Sequence, residues 1–207
     1  IDVNEAYITP GLIDTHIHGF GGFGTDDAST DSVVEMSRQL ADYGVTAFNP
    51  TLYPAEPKAM LEAVRNVSAA IGRESGARIM GLHLEGPFIS PDRLGVQKPE
   101  TLSAVDLSFM EQLWEASSGH IVNMTVAPEI KGMRELALFC MKKGIILQAG
   151  HTDANYENMV EGMQVGDFEQ VFWHGGRPLR QLRKRWCPGR LPGPRDCFGC
   201  WPACRSR

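Results

Sequence analysis

Between residues 11 and 166, short apolar runs alternate five times with amphipathic stretches, and no hairpin signal joins one run to the next. A strand that must reach its neighbour through a helix pairs in parallel, so this rhythm predicts an α/β fold around a parallel sheet. GLIDTHIHG (11–19) reads as a buried strand. TDSVVEMSRQLADYG (30–44) follows as a helix, with Val33, Val34, Met36, Leu40 and Ala41 at near-helical spacing and Gly44 as its stop. VTAFNPTLY (45–53), RIMGLHLEGPF (78–88), HIVNMTVAPEI (120–130) and IILQAGHT (145–152) read as the next four strands. EPKAMLEAVRNVSAAIG (56–72), SAVDLSFMEQLWEAS (103–117), GMRELALFCMKKG (132–144) and NYENMVEGMQVG (155–166) read as the helices after them. No glycine-rich dinucleotide fingerprint follows any strand. The polar residues of chemical interest, His16, His18, Asn49, Glu85, Glu129 and His151, sit instead near the carboxyl ends of successive strands. Strand ends are where (β/α)8 barrels build their sites. The expectation is a partial (β/α)8 TIM-type barrel, with five clear units of the eight that closure needs.

Residues 167–207 break the rhythm. VFWHGG (171–176) could be a sixth strand, but RPLRQLRKRWCPGRLPGPRDCFGCWPACRSR (177–207) has neither a helical stripe nor alternation. This segment holds nine Arg and Lys against three acids, a net +6. With −5 for the 207-residue chain, residues 1–166 carry −11. It also holds Cys187, Cys197, Cys200 and Cys204, four of the five cysteines. A zinc knot needs more regular spacing than these offer. We therefore divide the chain at 1–166 and 167–207. The abrupt Arg, Pro, Gly, Cys and Trp enrichment is what a slipped GC-rich reading frame would give, and in that case the tail is not natively folded. The net charge of −5 argues against nucleic acid as the main partner. No apolar run approaches the roughly 20 residues that span a bilayer, and the N-terminal residues do not read as a signal peptide. A cytoplasmic location is expected.

His16 and His18 are two apart on a strand, so both rings face one side and can serve one metal ion. By spacing alone they could equally be hydrogen-bonding barrel histidines. Glu85 ends its strand, fenced by Gly86 and Pro87, where a carboxylate could join that ion or make a salt bridge. His83 shares its face one layer deeper, as a supporting group or a satisfied core histidine. His151 ends another strand, with Thr152 or Asp153 placed to cap the following helix. Glu129 could be structural or line a pocket. A glutamate and histidines gathered from three strand ends suit zinc or a similar divalent ion with an open position. Such an ion polarises carbonyls and acidifies water, which is the chemistry of amide or ester hydrolysis.

Residues 7–166 resemble the N-acetylglucosamine-6-phosphate deacetylase family of the amidohydrolase superfamily. PGLIDTHIHG (10–19), GLHLEGPFISPDRLGVQKPE (81–100), TVAPE (125–129) and AGHTDANYE (149–157) match its landmarks in order. The resemblance implies Glu85 as the principal metal ligand, His151 as the second, and His16 with His18 as an additional metal position. One or two ions follow, zinc by preference, with iron, manganese or cobalt as alternatives. It places Gly95, Val96 and Gln97 in the loop that touches the sugar, although many members carry histidine where Gln97 stands. It implies the removal of acetate from N-acetyl-D-glucosamine 6-phosphate in amino-sugar catabolism, by a homodimer. The family's third ligand, from a sixth strand, has only His174 near its place, among neighbours that do not match. No counterpart of the catalytic aspartate is found, nor of the small β-sandwich domain or the last barrel units. Another amidohydrolase, such as a cyclic amidase or deaminase, is one alternative, but HLEGPFISPDRLG (83–95) is a stretch those relatives usually lack. A non-catalytic fragment is the other.

Overall fold

The computed structural model describes residues 7–165 and 168–171. Six parallel strands line up in sequence order: β1 (Leu12–Ile17), β4 (Val45–Leu52), β6 (Leu82–Glu85), β7 (Ile121–Val126), β8 (Ile146–Ala149) and β9 (Phe168–Val171). Two short pieces, β2 (Gly19–Phe20) and β3 (Phe23–Gly24), form a separate antiparallel hairpin, and β5 (Arg78–Ile79) pairs with the start of β4. The helices are α1 (Thr30–Asp42), α2 (Pro57–Ser68), α3 (Leu107–Ala116), α4 (Met133–Lys143) and α5 (Tyr156–Val165). Each new strand joins the same advancing edge. A doubly wound sheet would reverse its order partway, so this order is that of a barrel wall.

Local chemistry sets the boundaries. Ser29 caps α1 by accepting from the Ser32 amide at 3.3 Å. Asp106 caps α3 by accepting from the amides of Ser108 and Phe109 at 2.9 and 3.1 Å, which starts that helix four residues later than the apolar pattern suggests. Proline opens α2, where its missing N–H costs nothing.

Along the inner strands, side chains alternate between two environments. Phe48, Leu52, Leu82, Leu84, Met124, Val126 and Leu147 pack outward against Val33, Met36 and Leu40 of α1, Met60 and Val64 of α2, Met110 and Leu113 of α3, and Leu136 of α4. The residues between them in sequence, Asn49, Thr51, His83, Glu85, Asn123, Thr125 and Gln148, are polar and almost as completely buried.

Four expectations need correcting. β1 is not a buried strand: Leu12 and Ile13 are 64% and 59% exposed, because this strand forms one end of the described sheet. A hairpin does occur, around Gly21-Gly22, a two-glycine turn signal between Phe20 and Phe23. The third strand is split at Met80-Gly81 into β5 and β6. The sixth strand begins at Phe168, three residues before VFWHGG, and His174 with the rest of the tail lies outside the described residues.

Candidate metal centre

Glu85 is the last residue of β6 and is 3% exposed. Four side chains converge on its carboxylate. His16 Nε2, from the end of β1, lies 3.6 Å from Oε1, and His151 Nε2, just beyond β8, lies 3.2 Å from the same oxygen. His18 Nε2 lies 3.1 Å from Oε2, and the Gln97 amide donates to Oε2 at 3.0 Å. The ligand atoms of His16, His18 and Glu85 lie within 4.8 Å of one another, a candidate metal site. The strands explain the convergence. β1 carries His16 and ends at Ile17 with His18 just beyond it, and β4 separates it from β6, where Glu85 ends the strand. Gly86 then turns the chain at a φ of 101°, where a Cβ would stand 2.9 Å from Pro54 Cγ.

The other ring nitrogens decide what this cluster can hold. His18 Nδ1 lies 2.9 Å from the Thr51 carbonyl, and His151 Nδ1 lies 3.0 Å from the Arg93 carbonyl. A carbonyl only accepts, so both Nδ1 atoms carry the proton, and a neutral ring then turns the Nε2 lone pair toward Glu85. Lone pairs facing a carboxylate at 3.1–3.2 Å repel. The arrangement is stable when the rings take a second proton or when a cation lies at the focus. Carbonyl-fixed tautomers with Nε2 directed at a carboxylate are the usual preparation for a divalent ion. Without an ion, burial opposes the Glu85 charge, but hydrogen bonds from His151 and His18 and the nearness of His16 hold its carboxyl well below the usual range. Burial works against protonation of His151 too, and its bonds to Glu85 and to the Arg93 carbonyl overcome this and raise its pKa.

His83 sits beneath the cluster, fully buried. Its Nε2 meets Thr125 Oγ1 at 2.8 Å, and its ring packs edge-on against His16 with centroids 4.9 Å apart. Burial, then the nearby His16, push its pKa down to about 3, so the ring is neutral. His151 adopts a left-handed φ of 47°, a conformation that costs a non-glycine residue roughly 1 kcal/mol or more. Its carbonyl accepts from the Ser90 amide at 2.9 Å, and Arg93 also forms an ion pair with Asp153, so the loops after β6 and β8 are tied together.

The Gly95–Gln97 loop divides its roles. Gly95, at φ 60°, lies so close to His151 that a Cβ would stand 3.1 Å from Cε1 of that ring. Val96 is 82% exposed, and Gln97 is buried with its amide on Glu85. Glu129 is not in the cluster; its carboxylate accepts from Thr152 Oγ1 and the Asp153 amide. Helix α5 is capped by neither Thr152 nor Asp153. Asn155 accepts from the Asn158 amide at 2.8 Å, and Asn158 reciprocates. Asn49 lies mid-strand in β4, below the site. Sequence reasoning missed Thr51, Arg93 and Tyr53. The first two act largely through backbone carbonyls, which no side-chain pattern reveals. Tyr53 lies just past β4, and the strand-end rule that found the others could have found it.

The Amidohydrolase family pattern matches residues 7–169. An N-acetylglucosamine-6-phosphate deacetylase of Bacillus subtilis is 34% identical over 166 residues, covering 78% of this chain and 42% of its own length. The human protein of that name is 33% identical over 162 residues, covering 74% of this chain and 39% of its own length. The crystal structure of the Mycobacterium smegmatis deacetylase superposes with a TM-score of 0.71 at 28% identity, covering 76% of this chain and 41% of that one. The Thermotoga maritima deacetylase gives 0.71 at 29% identity, over 82% and 45%. The chain thus spans less than half the length of the relatives it matches.

Proposed function

Because the chain belongs to the amidohydrolase family, we propose that Glu85, His151, His16 and His18 hold one or two divalent ions, zinc by preference, in a hydrolase acting on N-acetyl-D-glucosamine 6-phosphate. The products would be acetate and D-glucosamine 6-phosphate. The observation that carries this reading is the set of three imidazoles whose Nε2 atoms meet at one buried carboxylate, two of them fixed through Nδ1 by backbone carbonyls. A bound ion would supply Lewis acidity toward an amide carbonyl and toward water. The chain's own residues do the positioning. Thr51 and Arg93 hold the ring tautomers. Gln97 holds one carboxylate oxygen. Gly95 lets the loop close on His151. Gly95, Val96 and Gln97 border the place where the sugar would sit, and the exposed Val96 is free to contact it.

We assign no general base to any described residue, and His174 is our candidate for a further ligand. We also propose a homodimer in the cytoplasm. Among the described residues, no helix is long and apolar enough to cross a membrane.

The test pairs metal uptake with acetate release, for the chain and for Glu85→Gln. Uptake of one or two equivalents of zinc, lost in the variant, supports the metal site. Acetate release from N-acetyl-D-glucosamine 6-phosphate, again lost in the variant, supports the reaction. Uptake without release would restrict the reading to metal binding, and no uptake would overturn it.

A further inference from the structure

The ring of Tyr53 lies flat against that of His18, with centroids 3.6 Å apart and planes 2° from parallel. His16 meets the same imidazole edge-on, 5.0 Å away at 84°. We propose that Tyr53 is a positioning residue for His18, holding the plane of the imidazole so that Nε2 stays aimed at Glu85.

The argument is one of degrees of freedom. An imidazole on a strand has two torsions, χ1 and a broad χ2. The Thr51 carbonyl fixes where Nδ1 lies, at 2.9 Å. One hydrogen bond still allows the ring to rock about the line from Nδ1 to its acceptor, and that rocking swings Nε2 past the carboxylate. A flat aromatic neighbour removes it. Tyr53 is two residues beyond Thr51, so a single segment leaving β4 grips the ring both at its edge and on its face. That segment is itself anchored. Thr51 Oγ1 accepts from the Ile17 amide at 3.1 Å, and the Thr51 carbonyl also accepts from Thr25 Oγ1 at 2.6 Å. His18 is the more open ligand, with a fifth of its side chain exposed against 3% for His151.

This inference deepens the metal reading and rests on it only for its consequence; the ring placement is tested without metal. In the metal-free chain, stacking on Tyr53 shields the carbon-bound ring protons of His18, identified by their loss in His18→Asn. The expected NMR result is an upfield shift in the wild type and in Tyr53→Phe, removed in Tyr53→Leu. Cobalt(II) affinity, followed by its visible spectrum against a competing chelator, should fall about tenfold in Tyr53→Leu, at the low end for an outer partner of a ligand. Tyr53→Phe should restore it. No upfield shift in the wild type, or a shift that survives Tyr53→Leu, overturns the proposal. So does unchanged cobalt affinity in Tyr53→Leu, or an equal loss in Tyr53→Phe, which would put the effect on the hydroxyl. A wild-type chain that binds no cobalt overturns the metal reading, and the NMR result then decides the placement of His18 alone.

Discussion

The two faces of the parallel sheet are built from neighbouring residues and obey different rules. Leu84 and Glu85 are adjacent in β6 and both are buried, one at 0% and the other at 3% exposure. Leu84 faces the helices, where dispersion and removal of apolar surface from water stabilise the fold. Glu85 faces the barrel interior, where a charge is kept from water only because three imidazoles and an amide surround it. Barrel interiors are commonly filled with branched apolar side chains. Here the inner positions of β4, β6, β7 and β8 carry Asn49, Thr51, His83, Glu85, Asn123, Thr125 and Gln148. The outer face holds the sheet to its helices. The inner face gives up part of that stabilisation to gather buried polar groups.

The sharpest way to break this comparison is to change the two neighbours separately. Leu84→Ala should cost about 2–5 kcal/mol of stability in urea unfolding, and the protein that remains folded should take up zinc normally. Glu85→Gln should lose zinc affinity by at least about 100-fold, the upper end of what losing even an outer partner costs. If Leu84→Ala abolished zinc uptake in folded protein, the two faces would not be separable.

Metal itself should act on the inner face alone. Zinc at about 100 times its dissociation constant should stabilise the wild-type chain by about 2.7 kcal/mol, and a chelator should reverse this. Glu85→Gln should show no such shift, whereas Leu84→Ala should show the full one. Calorimetric melting with and without zinc gives the answer. An equal shift in Glu85→Gln would move the ion away from this carboxylate.

The same contrast explains how much could be read from sequence. The outer face was plain, because the apolar runs of the strands and the stripe of α1 come from burial, which is set residue by residue. The parallel sheet followed from the helix between each pair of strands, and the barrel from the polar residues at successive strand ends. At the site, Glu85, His151, His16 and His18 were identified as candidates, and they meet in space. What hydrogen bonds and backbone torsions decide was not visible. The carbonyls of Thr51 and Arg93, the left-handed His151 and the reciprocal Asn155–Asn158 cap leave no mark in the apolar pattern. β1 misled because GLIDTHI looks like an interior strand, and exposure depends on whether another strand pairs with it.

A smaller effect is expected where the loop touches the site. Gly95→Ala places a methyl group 3.1 Å from His151 Cε1 and at a φ of 60°. The backbone cost is about 1 kcal/mol, read as a lower urea midpoint. The displaced ring should also weaken zinc binding several-fold. A variant with the stability loss and unchanged zinc affinity would mean that the close approach of Gly95 does not set the position of the His151 ring.

The smallest effect tests whether the polar interior is needed for the fold at all. Asn49 is 3% exposed, and its Oδ1 has no hydrogen-bond partner among the described residues. A buried acceptor without a partner costs about 1–3 kcal/mol, and part of that should return when the group is removed. Asn49→Val keeps a β-compatible shape and lacks the amide. It should therefore be as stable as the wild type or more stable by up to about 1 kcal/mol, by the same denaturant measurement. The carboxamide also lies two residues before Thr51, whose carbonyl fixes His18. A stabilised variant with weaker zinc binding would mean that the inner face keeps its polarity for the site and at the expense of the fold. A clearly destabilised Asn49→Val would refute that division, because the interior amide would then be holding the strands together as the outer leucines do.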